Sequence, residues 1–327
     1  MKAKTNRLAP KKSSSSARGA RIATPLPAAK SAGPKPAAAK RGSVRVFQIF
    51  YEDSHKKALD PAFEPYDNRA SQSELLEFAV FENLAQSAKV AGARYWGALS
   101  WRFLEKTGMS GKTWLAAMAA NPGFDVYYCN PHPVIEALYH NVWIQGEPAH
   151  PSFMLLARAF FEAAGLPVDR LTTIQPASTF AAANYFVATP AFWEAYLRFV
   201  RRAIGNAERK MPARMRALLH SKLADPEGYY FGATYVPFIV ERLFAVFLAT
   251  DGAAFKAYKV PLPAREQELN VHLRLLREMK DVAHKTKSIW MVSCWINYRN
   301  LYLAQMHGRE WCEKYLSSVT PTDIKFA

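Results

Sequence analysis

Two adjacent charged residues, Glu241 and Arg242, interrupt the most apolar stretch of the chain, VPFIVERLFAVFLA. On a helix almost every direction of this stretch is apolar, which is typical of a buried helix. A buried charge is stable only if it is paired or borders a polar cavity. We therefore expect Glu241 and Arg242 to lie in a polar cleft, where the carboxylate can accept a proton and the guanidinium can bind an anion. An internal ion pair with other core groups is the alternative.

A second group of polar side chains follows a short apolar segment, in the sequence CNPHPVIEALYHNVWIQGEPAHPS. It places Asn130, His150 and several other His, Asn, Gln and Glu residues among Trp and Pro. Proline-fixed loops that directly follow a strand are where binding groups concentrate. The histidines lack the spacing of a helical zinc motif, so hydrogen bonding is favoured over metal binding.

The segment TGMSGKTW resembles the end of a phosphate-binding loop. Such a loop needs a glycine five positions before its Gly-Lys-Thr, and this chain has Lys106 there. A polar run also precedes the segment, where the motif requires a buried strand. Ser110 is a favourable N-cap, so we predict a capped surface helix that ends near Gly123. Triphosphate hydrolysis is not favoured.

The composition indicates a folded protein with a separate basic segment at its start. Of the 327 residues, 50% are hydrophobic and 13% are aromatic, and the formal net charge is +16. Residues 1–45 contain 12 of the 43 Lys and Arg and no Asp or Glu, so the remainder carries 31 basic against 27 acidic side chains. This nearly neutral remainder argues against a nucleic-acid-binding protein, which needs a concentrated basic surface.

Residues 1–43 are rich in Lys, Ala, Ser and Pro and contain few large apolar side chains. Such a segment buries too little surface to offset chain entropy, so we expect a disordered basic tail. Its chemistry suits a solvated tail, contact with an anionic membrane surface or nucleic acid, or an organellar transit peptide. The three distant cysteines and the lack of a long uncharged apolar window favour a cytoplasmic protein that does not span a membrane.

The rest of the chain predicts strands that alternate with helices. Residues 44–51 alternate like a strand, and residues 73–90 show helical spacing after Ser73, a plausible N-cap. This order favours an α/β fold with a mostly parallel sheet flanked by helices, which we assign to residues 44–262. Residues 263–327 are predicted to form a C-terminal helical appendage that packs against the sheet domain or a second copy, with a membrane-surface role as the weaker alternative.

Five segments in a fixed order resemble the bacterial capsular and exopolysaccharide glycosyltransferases. They are YWGALSWRF, DVYYCNP, HNVWIQGEPAH, NYFVATPAFWEAY and GATYVPFIVERLFAVFLA. In that family an aromatic segment with a glycine is followed by a strand containing Asn, a helix with a Tyr, and a closing helix with Glu-Arg-Leu. The resemblance implies a GT-A-like domain over residues 44–262. It also implies transfer of a hexosyl group from a nucleotide-diphosphate sugar to a glycan or lipid-linked acceptor in surface polysaccharide synthesis.

The resemblance further implies roles for individual residues near the carboxyl ends of the strands. Glu241 would be the catalytic base, because an acceptor hydroxyl is a poor nucleophile until its proton is removed. Asp125 would be a second catalytic carboxylate, near the diphosphate, and Asn184 and Tyr185 would lie on the acceptor side. The residues that would bind the donor are Gln48, Tyr51, Trp96, Gly97, Arg102, Asn130, His150 and Arg242.

The chain departs from the GT-A pattern at the metal site. The usual Asp-x-Asp pair is absent, because Val126 and Tyr127 follow Asp125. A divalent cation, Mg²⁺ or Mn²⁺, is therefore an open expectation, and Arg102 or His150 is the alternative partner of the diphosphate.

The leading hypothesis is a cytoplasmic glycosyltransferase whose basic tail contacts the inner membrane peripherally. The alternative is a non-catalytic α/β binding or interaction protein on the same scaffold, since a fold does not guarantee an activity. The sequence leaves open the sugar, the acceptor, the stereochemical course and the oligomeric state.

Overall fold

A computed structural model describes residues 42–223 and 232–326. Residues 1–41 of the predicted tail lie outside the described residues. The described residues contain a mostly parallel six-stranded sheet flanked by helices, which confirms the predicted α/β class. The strands are β1 (Val44–Phe50), β2 (Glu64–Asp67), β3 (Tyr95–Ser100), β4 (Val126–Tyr128), β5 (Thr173–Ile174), β6 (Phe186–Ala188), β7 (Ala257–Lys259) and β8 (Lys325–Phe326). The helices are α1 (Glu77–Ala85), α2 (Phe103–Thr107), α3 (Gly111–Ala120), α4 (Pro133–Leu138), α5 (Val142–Ala149), α6 (Phe153–Ala164), α7 (Pro190–Lys210), α8 (Ala213–Leu219), α9 (Val236–Ala249), α10 (Pro263–Glu266), α11 (Val271–Thr286) and α12 (Ile289–Tyr315).

The large sheet has the strand order β2-β1-β3-β6-β4-β7. Strand β6 runs antiparallel to its neighbours β3 and β4, and the other pairs in this sheet are parallel. The carboxyl ends of β1, β3 and β4 therefore lie at the same edge of the sheet as the amino end of β6. Strands β5 and β8 form a separate parallel pair.

Side chains alternate along each strand and build a separate core on each face of the sheet. On one face, Phe47 and Ile49 of β1 pack with α1, α6, α7 and α9. On the other face, Val46 and Leu99 pack with residues of α2 and α3. This division follows from the period of two that residues 44–51 show in the sequence.

The segment that resembles a phosphate-binding loop forms the predicted capped helix. Ser110 Oγ accepts a hydrogen bond from the Thr113 N–H at 3.2 Å, and α3 runs to Ala120. The Gly111 N–H donates to the Asp60 carboxylate at 2.7 Å. A carboxylate of the protein therefore occupies the helix start where a phosphate-binding loop would hold its ligand.

The C-terminal helices share a third core with α4. Leu276 of α11 and Trp295 of α12 are buried there together with Ile174. The fully buried Lys280 donates to the backbone carbonyl of Tyr139 at 3.0 Å. The apolar side of this extension thus packs against the sheet domain, which is one of the two arrangements expected from the sequence.

Candidate functional site

Polar side chains meet at the edge of the sheet where β1 and β3 end and β6 begins. Tyr51 follows β1, Ser100 ends β3, and Tyr185 directly precedes β6. The Tyr185 hydroxyl lies 2.8 Å from Ser100 Oγ. Glu77, from the first turn of α1, and Glu241, from the middle of α9, are close enough for their charges to act on the Tyr185 hydroxyl. We call these five side chains the edge cluster, and they lie where open α/β sheets bind ligands.

The surroundings of Glu241 favour a protonated carboxyl group. The side chain is partly buried on a helix that is apolar apart from Glu241 and Arg242. Burial raises its pKa to about 7, and the charge of Glu77 acts in the same direction. The charges of Arg242 and Lys106 and a backbone hydrogen bond from Asn184 oppose this rise. A carboxyl group with this pKa is about half ionised at neutral pH and can accept a proton from a hydroxyl group.

A strained backbone turn places Glu77 in the edge cluster. Leu76, directly before α1, has φ 47° and ψ −119°, a conformation rare for residues with a side chain. The prediction that Ser73 caps this helix was wrong. The helix begins later, and Ser73 Oγ accepts a hydrogen bond from the Leu75 N–H at 3.3 Å. Glu77 consequently lies in the first turn, where the helix dipole favours a carboxylate. Strain of this kind is often found at functional positions.

Two tyrosine hydroxyls border the carboxylates of the edge cluster. Burial, followed by the charge of Glu77, raises the pKa of Tyr51 above its ordinary range. The Tyr51 hydroxyl lies beside the Glu77 carboxylate without a hydrogen bond of normal geometry. Burial also raises the pKa of Tyr185. Both hydroxyls are therefore protonated at neutral pH.

Basic side chains lie next to the edge cluster. Lys106 of α2 places its Nζ 6.0 Å from the centre of the Tyr185 ring. Arg265 donates from Nη2 to the Glu105 carbonyl at 3.0 Å, which holds it against the same helix. Arg102 directly precedes α2 and donates from Nε to the Glu105 carboxylate at 2.9 Å. We call Arg102, Lys106 and Arg265 the basic rim.

The pKa of His132 reflects the positive potential of the basic rim. Its side chain is partly buried at the start of α4. Burial, followed by the charges of Lys106, Arg265 and Arg102, lowers its pKa to about 4. Within the part of the chain that the structure describes, Lys106 forms no ion pair. Arg102 and Arg265 already pair with Glu105 and Glu268, so Lys106 is the rim residue whose charge is available to an anionic group such as a diphosphate.

Asp125 does not reach the edge cluster, which corrects its predicted position near the diphosphate. It directly precedes β4 and thus lies at the amino edge of the sheet. Its Oδ2 accepts from the Lys256 N–H at 2.8 Å, and its carbonyl accepts from the Thr189 N–H at 2.8 Å. Asp125 therefore joins β4 to the segment before β7.

Trp96 and Gly97 were predicted to contact the donor at the carboxyl edge of the sheet, but they lie toward its amino edge. Trp96 is the second residue of β3 and stacks on Trp193, with ring centres 4.2 Å apart. A Cβ at Gly97 would approach the Phe186 carbonyl of β6 to 2.5 Å. Both residues thus serve the close packing of β3 rather than a donor site.

Gln48 is fully buried and binds groups of the protein itself. Its Nε2 donates to the carbonyls of Ser100 and Trp101, each at 3.2 Å. Its Oε1 accepts from the Asp60 N–H at 2.6 Å. Gln48 therefore does not contact the sugar donor as predicted. It fixes the end of β3 that carries Ser100.

Arg242 points away from the edge cluster, because neighbouring residues on a helix diverge by about 100°. The side chain is 4% exposed and donates to the carbonyls of Val142 and Phe238 and to Gln145 Oε1, at 2.8 to 2.9 Å. The two adjacent charges therefore do not open together on one cleft. Glu241 faces the edge cluster, whereas Arg242 joins α5 to α9.

Asn130 and His150 are enclosed by protein groups. Asn130 Nδ2 donates to Glu136 Oε2 at 2.8 Å. The His150 ring lies 4.2 Å from the Phe238 ring, and burial lowers the pKa of His150 to about 3. A neutral, buried imidazole supplies no positive charge to a diphosphate.

The structure therefore brings together part of the predicted site and adds residues that the sequence analysis missed. The predicted residues that meet at this edge are Tyr51, Arg102, Asn184, Tyr185 and Glu241. The missed residues are Ser100, Glu77, Lys106 and Arg265. An acid in the first turn of a helix and a base in its last turn are ordinary helix features, so no sequence signal marks them as functional.

The described residues contain no group of three or more His, Cys, Asp or Glu side chains placed to bind a metal ion. Glu77 and Glu241 are the carboxylates of the edge cluster, and carboxylate oxygens are the ligands that Mg²⁺ prefers. A divalent cation at this edge stays an expectation. Two surface hollows of about 810 and 180 Å³ lie elsewhere, beside Trp193 and beside His284.

Comparisons of the chain with protein-family models, with the curated proteins and with the solved structures found no match. No helix among residues 42–223 and 232–326 is long and apolar enough to cross a bilayer. The function is therefore inferred from the edge cluster, the basic rim and the sequence resemblance.

Proposed function

We propose that the protein is a glycosyltransferase with a GT-A-like domain. It transfers a hexosyl group from a nucleotide-diphosphate sugar to a glycan or lipid-linked acceptor in surface polysaccharide synthesis. The observation that carries this proposal is the partly buried Glu241, whose carboxyl pKa is raised to about 7 at the ligand-binding edge of an α/β sheet. The resemblance of the five segments supports the same function.

In the proposed reaction Glu241 is the base. Its carboxylate accepts the proton of the acceptor hydroxyl while that oxygen forms a bond to the anomeric carbon of the donor. The bond from the anomeric carbon to the diphosphate oxygen breaks, and the diphosphate leaves with the electron pair. Glu77 raises the proton affinity of Glu241, and the Asn184 N–H orients its carboxylate.

The basic rim is proposed to bind the diphosphate of the donor. Negative charge grows on the leaving diphosphate, so cations that are already in place stabilise the transition state. Lys106 connects the basic rim to the edge cluster, because its ammonium lies over the Tyr185 ring and its charge acts on Glu241. We propose that the enzyme acts in the cytoplasm and that its basic tail rests on the inner membrane, where lipid-linked acceptors are found.

Replacing Lys106 by Ala is expected to weaken donor binding about tenfold or more, because a hydrogen bond to a charged group contributes about 1.5 to 3 kcal/mol. Binding can be measured by thermal shift against UDP- and GDP-sugars at millimolar concentration, with CMP-sugars, which carry a single phosphate, for comparison. We expect one nucleotide class to raise the Tm of the wild type. The control is Lys112→Ala, which removes the exposed lysine of the Gly-Lys-Thr segment and should leave binding unchanged.

If no nucleotide sugar raises the Tm, the proposed function is wrong. Equal losses in Lys106→Ala and Lys112→Ala would remove the assignment of the basic rim. Binding without any release of free nucleotide in the presence of acceptors would instead favour the non-catalytic binding protein.

A further inference from the structure

The first half of α12 presents an uncharged stripe to solvent. Trp290, Cys294, Asn297 and Leu301 recur at intervals of three and four residues, so they share one side of the helix. Trp290 is 80% exposed, Leu301 is 67% exposed, and the adjoining Ile289 is 52% exposed. We call these five residues the outer stripe.

The opposite side of the same helix is already packed. Val292, Trp295 and Leu303 are fully buried in the core that α12 shares with α4 and α11. Arg299 is also buried and donates from Nη1 to the Val319 carbonyl at 2.9 Å. These contacts fix the rotation of α12, so the outer stripe faces outward as a consequence of the fold.

The sequence that contains the outer stripe carries basic but no acidic side chains. No Asp or Glu occurs in residues 282–308, and the exposed Lys285 and Lys287 lie at the beginning of the stripe. Exposed apolar side chains that are grouped in this way mark an interaction surface. Trp and Lys together are typical of segments at the membrane interface, where an indole enters the headgroup region and an ammonium group contacts phosphate. The stripe of a second copy would offer no acidic partner to these lysines.

We propose that the outer stripe docks α12 flat on an anionic membrane surface. Ile289, Trp290 and Leu301 enter the headgroup region, while Lys285 and Lys287 contact lipid phosphates. From Trp290 to Leu301 the helix rises about 16 Å, so the stripe matches a helix lying in the interface plane. This surface is separate from the edge cluster, and its docking does not depend on sugar transfer.

The test is cosedimentation of the full chain with vesicles of phosphatidylcholine alone or of phosphatidylcholine with phosphatidylglycerol. The double variant Ile289→Ser/Trp290→Ser is expected to bind the anionic vesicles about tenfold more weakly than the wild type, since burying one large apolar side chain is enough for such a change. The matched control is Leu155→Ser, which removes a 58% exposed leucine from α6. The basic tail is present in every protein compared, so a difference between variants reports on the outer stripe.

The double variant Lys285→Glu/Lys287→Glu tests the charge of the surface. It is expected to bind the anionic vesicles about tenfold more weakly than the wild type. Two results would overturn the proposal. One is that the Ile289 and Trp290 double variant binds as tightly as the Leu155 control, which would assign membrane contact to the tail alone. The other is a concentration-dependent dimer that the same double variant dissociates, which would show that a second copy covers the stripe.

Discussion

Glu241→Gln is expected to abolish glycosyl transfer while donor binding is retained. Glutamine keeps the size and the hydrogen bonding of the side chain but cannot accept the hydroxyl proton. Loss of a general base lowers a rate by about 10² to 10⁴-fold. The Asn184 N–H that approaches the Glu241 carboxylate can still bond to an amide oxygen, so the edge cluster should keep its shape.

This prediction is checked by measuring release of free nucleotide with an acceptor mixture, together with thermal shift by the donor that binds the wild type. Glu162→Gln is the matched control, because Glu162 is an exposed glutamate on α6 outside the edge cluster. A Glu241→Gln protein that transfers sugar at the rate of the Glu162→Gln control would remove Glu241 from the mechanism.

Glu136→Gln is expected to lower the free energy of unfolding by about 3 kcal/mol, since removing one partner from a buried ion pair leaves an uncompensated charge. Glu136 is 3% exposed and accepts from Lys259 Nζ at 2.5 Å. Arg277 Nη1 lies 3.8 Å from its carboxylate, and Asn130 Nδ2 donates to it at 2.8 Å. The substitution leaves Lys259 beside a neutral amide, while Arg277 keeps its pair with Glu266 at 2.8 Å, and it loosens the contact of α4 with β7.

Urea denaturation measures this effect. Glu194→Gln is the control, because Glu194 and its partner Arg198 are both exposed and such pairs contribute less than about 1 kcal/mol. Equal free energies of unfolding for the two variants would show that the pairs at Glu136 contribute no more than a surface ion pair.

Features set by neighbouring residues could be predicted from the sequence. The alternation in residues 44–51 gives β1, Ser110 caps α3, and Gly165 ends α6 in the left-handed conformation with φ 72°. Thr189 caps α7 and Pro190 follows at its first position, the order that the preferences of these two residues predict. Each of these outcomes depends on the backbone preferences of a few adjacent residues.

The composition of the site depends on contacts between distant segments. Tyr185 reaches the edge cluster because β6 runs antiparallel, and no local pattern gives the direction of a short apolar strand. Arg265 reaches α2 across 160 residues of chain. The position of Glu77 in the edge cluster depends on the positive φ of Leu76, and leucine shows no preference for positive φ. Asp125 lies at the amino edge because it directly precedes β4, whereas the family resemblance implied a place near the diphosphate.

The pH dependence of stability tests the central claim about Glu241 most directly, because it requires no substrate. A raised carboxyl pKa means that the folded protein holds a proton that the unfolded chain has released, in the window from 4.5 to about 7. The wild type therefore loses stability as the pH rises through this window, and a glutamine at this position does not. One pKa unit corresponds to about 1.36 kcal/mol, and partial exposure of the side chain reduces the total.

The measurement is the free energy of unfolding of Glu241→Gln minus that of the wild type, from urea denaturation between about pH 5 and about pH 8. The difference is expected to rise with pH and to reach about 2 kcal/mol in favour of the variant at about pH 8. A difference that stays constant over this range would contradict the raised pKa and with it the role of Glu241 as the base.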